Sequence, residues 1–106
     1  TAKGRYLQNI VKDKIIELYP VLTKKDIRTS MVGENNADIK LLSHTAKKLF
    51  PYSVECKNRN DFKGIYNGFR QAVKHSPREP VLVIKTNREK PLAIIDLDHF
   101  FKLLSN

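Results

Sequence analysis

The sequence predicts an α/β (α+β) domain with a mixed central sheet flanked by helices, in the order αβββαββα. Helical stripes of apolar residues alternate with short β-type runs along the chain, which is typical of a sheet packed against helices. The 106 residues suffice for one modest core but not for two. We therefore expect a single domain spanning residues 1–106.

The first half of the chain predicts a helix, two strands, a short helix and a third strand. Apolar residues recur at helical spacing from about Gly4 to Tyr19, and Pro20 ends this helix because proline lacks an amide N–H. The segments "DIRTSMV" and "DIKLL" are predicted strands around the turn cluster "GENNA". In "SHTAKKLFP" a short helix is capped by Ser43 and ended by Pro51, and "YSVECK" is the third strand.

The second half predicts a helix, a hairpin and a closing helix. Asp61 is the predicted N-cap of a helix that runs to about Lys74 with a clear apolar stripe. The runs "PVLVIKT" and "PLAIIDL", joined by "NREK", predict a hairpin, and "DHFFKLLS" predicts a short helix with Asp98 near its start. We expect the aromatic residues of these two helices to fill the core.

The chain is strongly basic, with 20 Lys and Arg residues against 11 Asp and Glu residues and a net charge of +9. A domain this basic is expected to attract a polyanion, and nucleic acid is the leading candidate. No apolar run approaches the roughly 20 residues of a membrane span, so we expect no membrane partner. Cys56 is the only cysteine, which argues against a disulfide or a structural zinc site. A lone thiol and the lack of a secretory signal predict a cytoplasmic location.

Three charged residues are notable for their place in the predicted sheet. Asp38 opens the second strand, and Glu55 and Lys57 lie two residues apart on the third, so they share one face. If these strands are neighbours, the two carboxylates suit Mg²⁺ or Mn²⁺, and Lys57 could stabilise charge on a phosphate oxygen. The simpler interpretation is an edge strand whose polar face is solvated.

The spacing of these residues resembles a known nuclease motif. Ala37 and Asp38, followed by "VECK" at residues 54–57, resemble the PD-(D/E)XK motif. That superfamily includes restriction endonucleases, archaeal Holliday-junction resolvases and many phage nucleases. "KGRYLQ" resembles the resolvase entry helix, "IRTSMVG" its strand and loop before the Asp, and "FRQAVKH" places a Gln in the following helix. The resemblance covers nearly the whole chain and implies a restriction-endonuclease-like core.

The resemblance implies a role for each residue of the motif. Asp38 and Glu55 would bind Mg²⁺ or Mn²⁺, with the backbone carbonyl of Cys56 as a further ligand. Lys57 would be the catalytic lysine. In-line attack by water would then leave a 5′-phosphate and a 3′-hydroxyl.

Further residues have supporting roles under the same resemblance. Ser30 would lie in a loop that touches the scissile phosphate, and Gln71 would support the site from the following helix. Two departures are evident, because Gln8 replaces the first-helix carboxylate and Ala37 replaces the motif's proline. The first departure leaves open whether one or two metal ions bind. The predicted DNA-contacting residues are Lys3, Arg5, Arg28, Ser30, Lys85 and Arg88.

These observations predict a metal-dependent DNA endonuclease of phage or prokaryotic type, most similar to a Holliday-junction resolvase. A symmetric junction requires two coordinated cuts, so we expect a homodimer. The candidate dimer surfaces are "PLAIIDL" and the face of Phe100, Phe101, Leu103 and Leu104, and the alternative is that both belong to the core. One alternative is a phage nuclease acting on linear, nicked or flapped duplex DNA. The other is a catalytically inactive basic DNA-binding module.

Overall fold

A computed structural model describes residues 2–105, except for the side chain of Lys3. It is a mixed α+β structure of four helices and two small antiparallel sheets. The chain divides into two compact units, unit 1 at residues 1–58 and unit 2 at residues 59–106. The expectation of a single domain stays a prediction.

Unit 1 is built from two helices around one antiparallel strand pair. In chain order its elements are α1 (Ala2–Leu18), β1 (Ile27–Thr29), β2 (Ile39–Leu41) and α2 (His44–Leu49). The predicted first helix, both strands and the second helix are therefore present, with ends that differ by one to three residues.

The core of unit 1 forms where α1 packs against β1. Val11 and Ile15, two positions of the predicted helical stripe, are buried there. The full set of buried apolar residues in unit 1 is Val11, Ile15, Leu22, Ile27, Ile39, Ala46 and Phe50. Each element of the unit, or the turn beside it, contributes at least one of these side chains, so the unit has a core of its own.

β1 and β2 pair antiparallel, with Arg28 opposite Lys40 and Thr29 opposite Ile39. The amide of Ser30 donates to the carbonyl of Asp38 at 2.8 Å and closes the loop that joins them. The loop turns through two residues of positive φ, Gly33 at 85° and Asn36 at 74°, which are the residue types that tolerate the left-handed region. Asp38 is thereby fixed at the point where the chain enters β2.

The cap of α2 is confirmed. Ser43 Oγ accepts a hydrogen bond from the Ala46 amide at 3.0 Å and satisfies one of the helix's free donors. The helix ends at Phe50, which is buried and precedes Pro51.

Unit 2 holds a 3₁₀ turn, two helices and a hairpin. Its elements are the 3₁₀ turn (Asn60–Phe62), α3 (Lys63–His75), β3 (Leu82–Ile84), β4 (Leu92–Ile94) and α4 (Leu97–Leu104). β3 and β4 pair antiparallel, which confirms the predicted hairpin. α3 approaches β3 at Gly68, where a Cβ would lie 3.2 Å from a methyl carbon of Leu82.

The predicted caps of unit 2 are only partly correct. Asp61 does not cap α3. This residue lies inside the 3₁₀ turn, and its carboxylate accepts hydrogen bonds from the Arg59 guanidinium at 2.9 and 3.1 Å. α4 begins with Asp96, whose Oδ1 accepts from the His99 amide at 3.1 Å. Asp98 lies in the first turn of that helix, as predicted.

Two further expectations are wrong for the described residues. The predicted mixed central sheet is replaced by two separate two-stranded antiparallel sheets. The helical aromatic residues do not all fill a core either, since Phe101 is buried whereas Tyr66 is 59% exposed. In residues 2–105, α3 has no buried side chain at all.

Candidate functional site

Asp38 is tied to the Glu-x-Lys segment by two hydrogen bonds. The Asp38 amide donates to the Val54 carbonyl at 2.9 Å, and Asp38 Oδ2 accepts from the Cys56 amide at 2.7 Å. Residues 18 positions apart in sequence are thus held side by side, with Glu55 between the two bonded residues. The two segments are therefore neighbours, which is the condition that a shared metal site sets.

The same two bonds explain why the predicted third strand is absent. Residues 51–59 have no regular secondary structure. The bond from the Asp38 amide to the Val54 carbonyl would form a parallel bridge if the Cys56 amide also donated to the Asp38 carbonyl, but the Cys56 amide donates to the Asp38 carboxylate instead. One backbone bond and one side-chain bond hold the segment extended without continuing the sheet.

Glu55 and Lys57 share one face of this extended segment. Lys57 Nζ lies 3.6 Å from Glu55 Oε2, and the two side chains are 59% and 60% exposed. Val54 and Cys56 are half-buried on the opposite face, so the two-residue alternation holds although no strand forms. The charged pair therefore faces solvent, where it is accessible to a substrate, rather than the core.

Cys56 is unsuited to act as a nucleophile. Its side chain is half-buried, and burial is the main cause of a raised thiol pKa, with further contributions from the charges of Asp38 and Glu55. A raised pKa leaves little of the reactive thiolate at neutral pH.

The oxygen atoms at this site suit a hard divalent cation. Asp38, Glu55 and the Cys56 carbonyl would be the candidate ligands, and Mg²⁺ typically combines one or two carboxylates with several waters. No cluster of three His, Cys, Asp or Glu side chains that could hold a metal occurs within the described part of the chain. Carboxylate and carbonyl oxygens are the type of ligand that Mg²⁺ or Mn²⁺ would take here.

Three further predicted residues meet in one small cleft beside the β1–β2 loop. Arg5, Gln8 and Ser30 line a cavity of about 200 Å³ together with Gly4 and the loop residues Met31 and Val32. Ser30 is also bonded through its amide to the Asp38 carbonyl, so this cleft adjoins the strand end that carries Asp38. The cleft offers one guanidinium, one amide and one hydroxyl group, which are all phosphate-binding groups.

The Arg28 guanidinium forms a salt bridge with Glu34, a partner that the sequence did not suggest. Its two terminal nitrogens contact the carboxylate oxygens of Glu34 at 2.7 and 3.0 Å. This bidentate contact, with the Met31 amide, lowers the pKa of Glu34 from 4.5 to about 2. Glu34 and the Thr29 carbonyl accept three of the hydrogen bonds that the Arg28 guanidinium can donate, and its predicted DNA contact stays a prediction.

The remaining predicted residues lie in unit 2 or outside the described side chains. Gln71 is exposed on α3, and Lys85 and Arg88 are exposed between β3 and β4, with Arg88 at a φ of 68°. Lys3 is in α1, but its side chain lies outside the described residues. The roles predicted for these four residues stay predictions.

Two features of unit 1 were not found from the sequence. One is the bidentate salt bridge between Arg28 and Glu34, which we call the Glu34 clamp. The other is the exposed pair of Met31 and Val32 in the β1–β2 loop. The opposite charges at the two ends of "RTSMVGE" were the available signal for the clamp. A salt bridge between residues six apart is set by the loop's shape, which the sequence pattern alone does not specify.

Comparison with known proteins adds no family assignment, since no family model, curated protein or solved structure matches the chain. Among residues 2–105, no helix combines the length and the apolar character needed to cross a lipid bilayer.

Proposed function

We propose that the chain is a Mg²⁺- or Mn²⁺-dependent DNA endonuclease that acts on branched DNA, with a restriction-endonuclease-like arrangement in unit 1. The observation that carries the proposal is the hydrogen bond from the Cys56 amide to the Asp38 carboxylate, at 2.7 Å. It ties Asp38 to the segment that carries Glu55 and Lys57, the other two residues of the resembled motif. A cytoplasmic location and a homodimer belong to the same proposal.

The roles of the chain's own residues follow from their environment. The Cys56 amide orients the Asp38 carboxylate, and Glu55 supplies the second anionic oxygen group on the adjacent segment. A divalent cation bound there would polarise the scissile phosphate. The ion pair of Lys57 with Glu55 is an exposed contact, so the ammonium group can exchange that carboxylate for a phosphate oxygen.

The experiment compares cleavage of end-labelled four-way junction, linear duplex and single strand in Mg²⁺, Mn²⁺ and chelator. We expect paired symmetric cuts in the junction that chelator abolishes. Lys57→Ala should lower the rate by about 10²–10³-fold, the usual loss for one group that stabilises transition-state charge. Its melting temperature should not change, because the side chain is largely exposed.

Asp38→Asn tests the metal role with little change of shape. The Asn oxygen can still accept from the Cys56 amide, whereas the charge that attracts a cation is lost. We expect a higher Mg²⁺ requirement and partial recovery in Mn²⁺. Asp13→Asn and Lys25→Ala are matched controls, since both residues are exposed charges of unit 1 away from this segment. Equal activity of Asp38→Asn, Lys57→Ala and the controls would refute the assignment.

A second function has support from one observation. The described residues contain no group of three His, Cys, Asp or Glu side chains that could hold a metal ion, and Gln8, at the position of the first-helix carboxylate of the resembled motif, is neutral. A basic module that binds DNA without cutting it fits that donor set. Binding that tolerates chelator, with no cut in either metal, would establish this alternative. Equal cutting of linear duplex would instead identify a general nuclease.

A further inference from the structure

The β1–β2 loop presents an apolar tip made of Met31 and Val32. Met31 is 61% exposed and Val32 is 90% exposed, although burial of such side chains is favourable. Single exposed apolar residues are ordinary, but two consecutive ones at the end of a projecting loop form a small patch that could contact a partner.

The tip is held in place by polar contacts beneath it. The Glu34 carboxylate accepts from the Met31 amide at 2.5 Å and from Arg28 at 2.7 and 3.0 Å, and the Glu34 amide donates to the Met31 carbonyl at 3.0 Å. Lys40 Nζ donates to the Asn35 carbonyl on the other side of the loop. Because the loop is already ordered, little conformational entropy is lost when the tip binds a partner.

The surroundings of the tip favour nucleic acid as that partner. Met31 and Val32 line the same cleft as Arg5, Gln8 and Ser30, so the apolar tip lies beside groups that bind phosphate. The chain carries a net charge of +9. Two side chains are too few for a protein interface, which buries about 800 Å² on each partner, whereas one or two apolar side chains suffice to separate stacked bases.

We propose that Met31 and Val32 form a wedge that enters an unstacked base step at the branch point of DNA. The inference deepens the proposed function and rests on it. Met31 follows Ser30, whose amide donates to the Asp38 carbonyl at 2.8 Å, so insertion at the branch would place the Asp38 site near a phosphate of the same junction. Selectivity for branched DNA would then come from the lower cost of entering a step that is already unstacked.

The test uses a four-way junction and a linear duplex of the same sequence, each with 2-aminopurine at the branch position or its duplex equivalent. Binding is measured with EDTA present, so that no cleavage occurs. We expect wild-type protein to raise 2-aminopurine fluorescence on the junction. Met31→Ser combined with Val32→Ser should remove that rise and weaken junction binding about tenfold, with less than about twofold change on duplex.

Val21→Ser is the matched control, because Val21 is a 66% exposed valine in the same unit and outside the loop. It should behave as wild type. An unchanged fluorescence rise in the double variant, or an equal loss of affinity on both DNAs, would overturn the wedge. A change of oligomeric state in the double variant would also overturn it, since the tip would then lie between copies.

A parallel cleavage assay separates failure of this inference from failure of the proposed function. If the wild-type protein cuts DNA and the double variant binds the junction normally, only the wedge is refuted. If only the wild-type protein raises the fluorescence and neither protein cuts DNA, the wedge is supported and the nuclease is refuted. Absence of any DNA binding by wild-type protein overturns both.

Discussion

The two units differ sharply in how much apolar surface each buries. Unit 1 has seven buried apolar side chains, whereas Phe101 is the only one among the described residues of unit 2. Both halves have amphipathic helices, yet α1 buries Val11 and Ile15 while α3 buries none of its residues. An apolar stripe in the sequence therefore predicts a helix well, but it does not predict how deeply that helix is buried.

Size explains part of the difference. Unit 2 has 48 residues, and a chain of about that length buries only a modest share of its surface. Its stripe instead lines an open apolar groove of about 450 Å³, whose walls include Phe62, Phe69 and Leu97. The candidate metal ligands and the cleft lie in unit 1, which has the denser core and can hold their geometry.

The largest expected effect comes from truncating a core residue of unit 1. Ile15→Ala removes a side chain that is fully buried and should lower the free energy of unfolding by about 2–5 kcal/mol. Val73→Ala, on the 50% exposed edge of the α3 stripe, should cost no more than about 0.5 kcal/mol. Urea denaturation of both variants measures the contrast. Similar losses of unfolding free energy in the two variants would show that α3 is as well buried as α1, and would contradict the difference between the units.

The sequence specified local structure better than the contacts between segments. Periodic apolar residues located α1 and α3, and turn residues located both strand pairs. The segment at residues 51–59 was mispredicted because its alternation of polar and apolar residues is real, but Asp38 supplies a side-chain acceptor in place of a strand partner. The predicted N-cap at Asp61 was wrong for a similar reason, since the Asp61 carboxylate pairs with the Arg59 side chain and not with a backbone amide of α3.

In the candidate site, too, the sequence identified individual residues better than the contacts between them. The motif residues Asp38, Glu55 and Lys57 could be selected from spacing alone, and the structure brings their segments together. The exposure of Glu55 and Lys57 agrees with the simpler interpretation of a solvated polar face and not with a position inside the sheet. The Glu34 clamp depends on the left-handed turn at Gly33, which lies between residues 28 and 34.

Removing the helix N-caps of the two units should have a smaller effect on the free energy of unfolding. Ser43→Ala and Asp96→Ala each remove an acceptor 3.0–3.1 Å from a first-turn amide and should cost about 0.5–2 kcal/mol. Ser43 should cost more, because its side chain also hydrogen-bonds Asp26 and is the main cause of that carboxyl's lowered pKa. Hydrogen exchange should show faster exchange in α2 for the first variant and in α4 for the second. Accelerated exchange throughout the chain in both would mean that the units unfold together.

The smallest expected effect is local to the loop of unit 1 and depends on pH. The Arg28 guanidinium and the Met31 amide lower the pKa of Glu34 from 4.5 to about 2, and Lys40 contributes through its charge. Because the folded pKa lies below the ordinary value, the clamp's stabilisation is complete above about pH 4.5 and is lost as pH falls toward 2. The Met31 amide resonance should therefore titrate in NMR spectra with a midpoint near 2, and Glu34→Gln should abolish that titration. A midpoint near 4.5 would mean that the clamp is open in solution, and the loop tip would then lack the fixed position that the wedge requires.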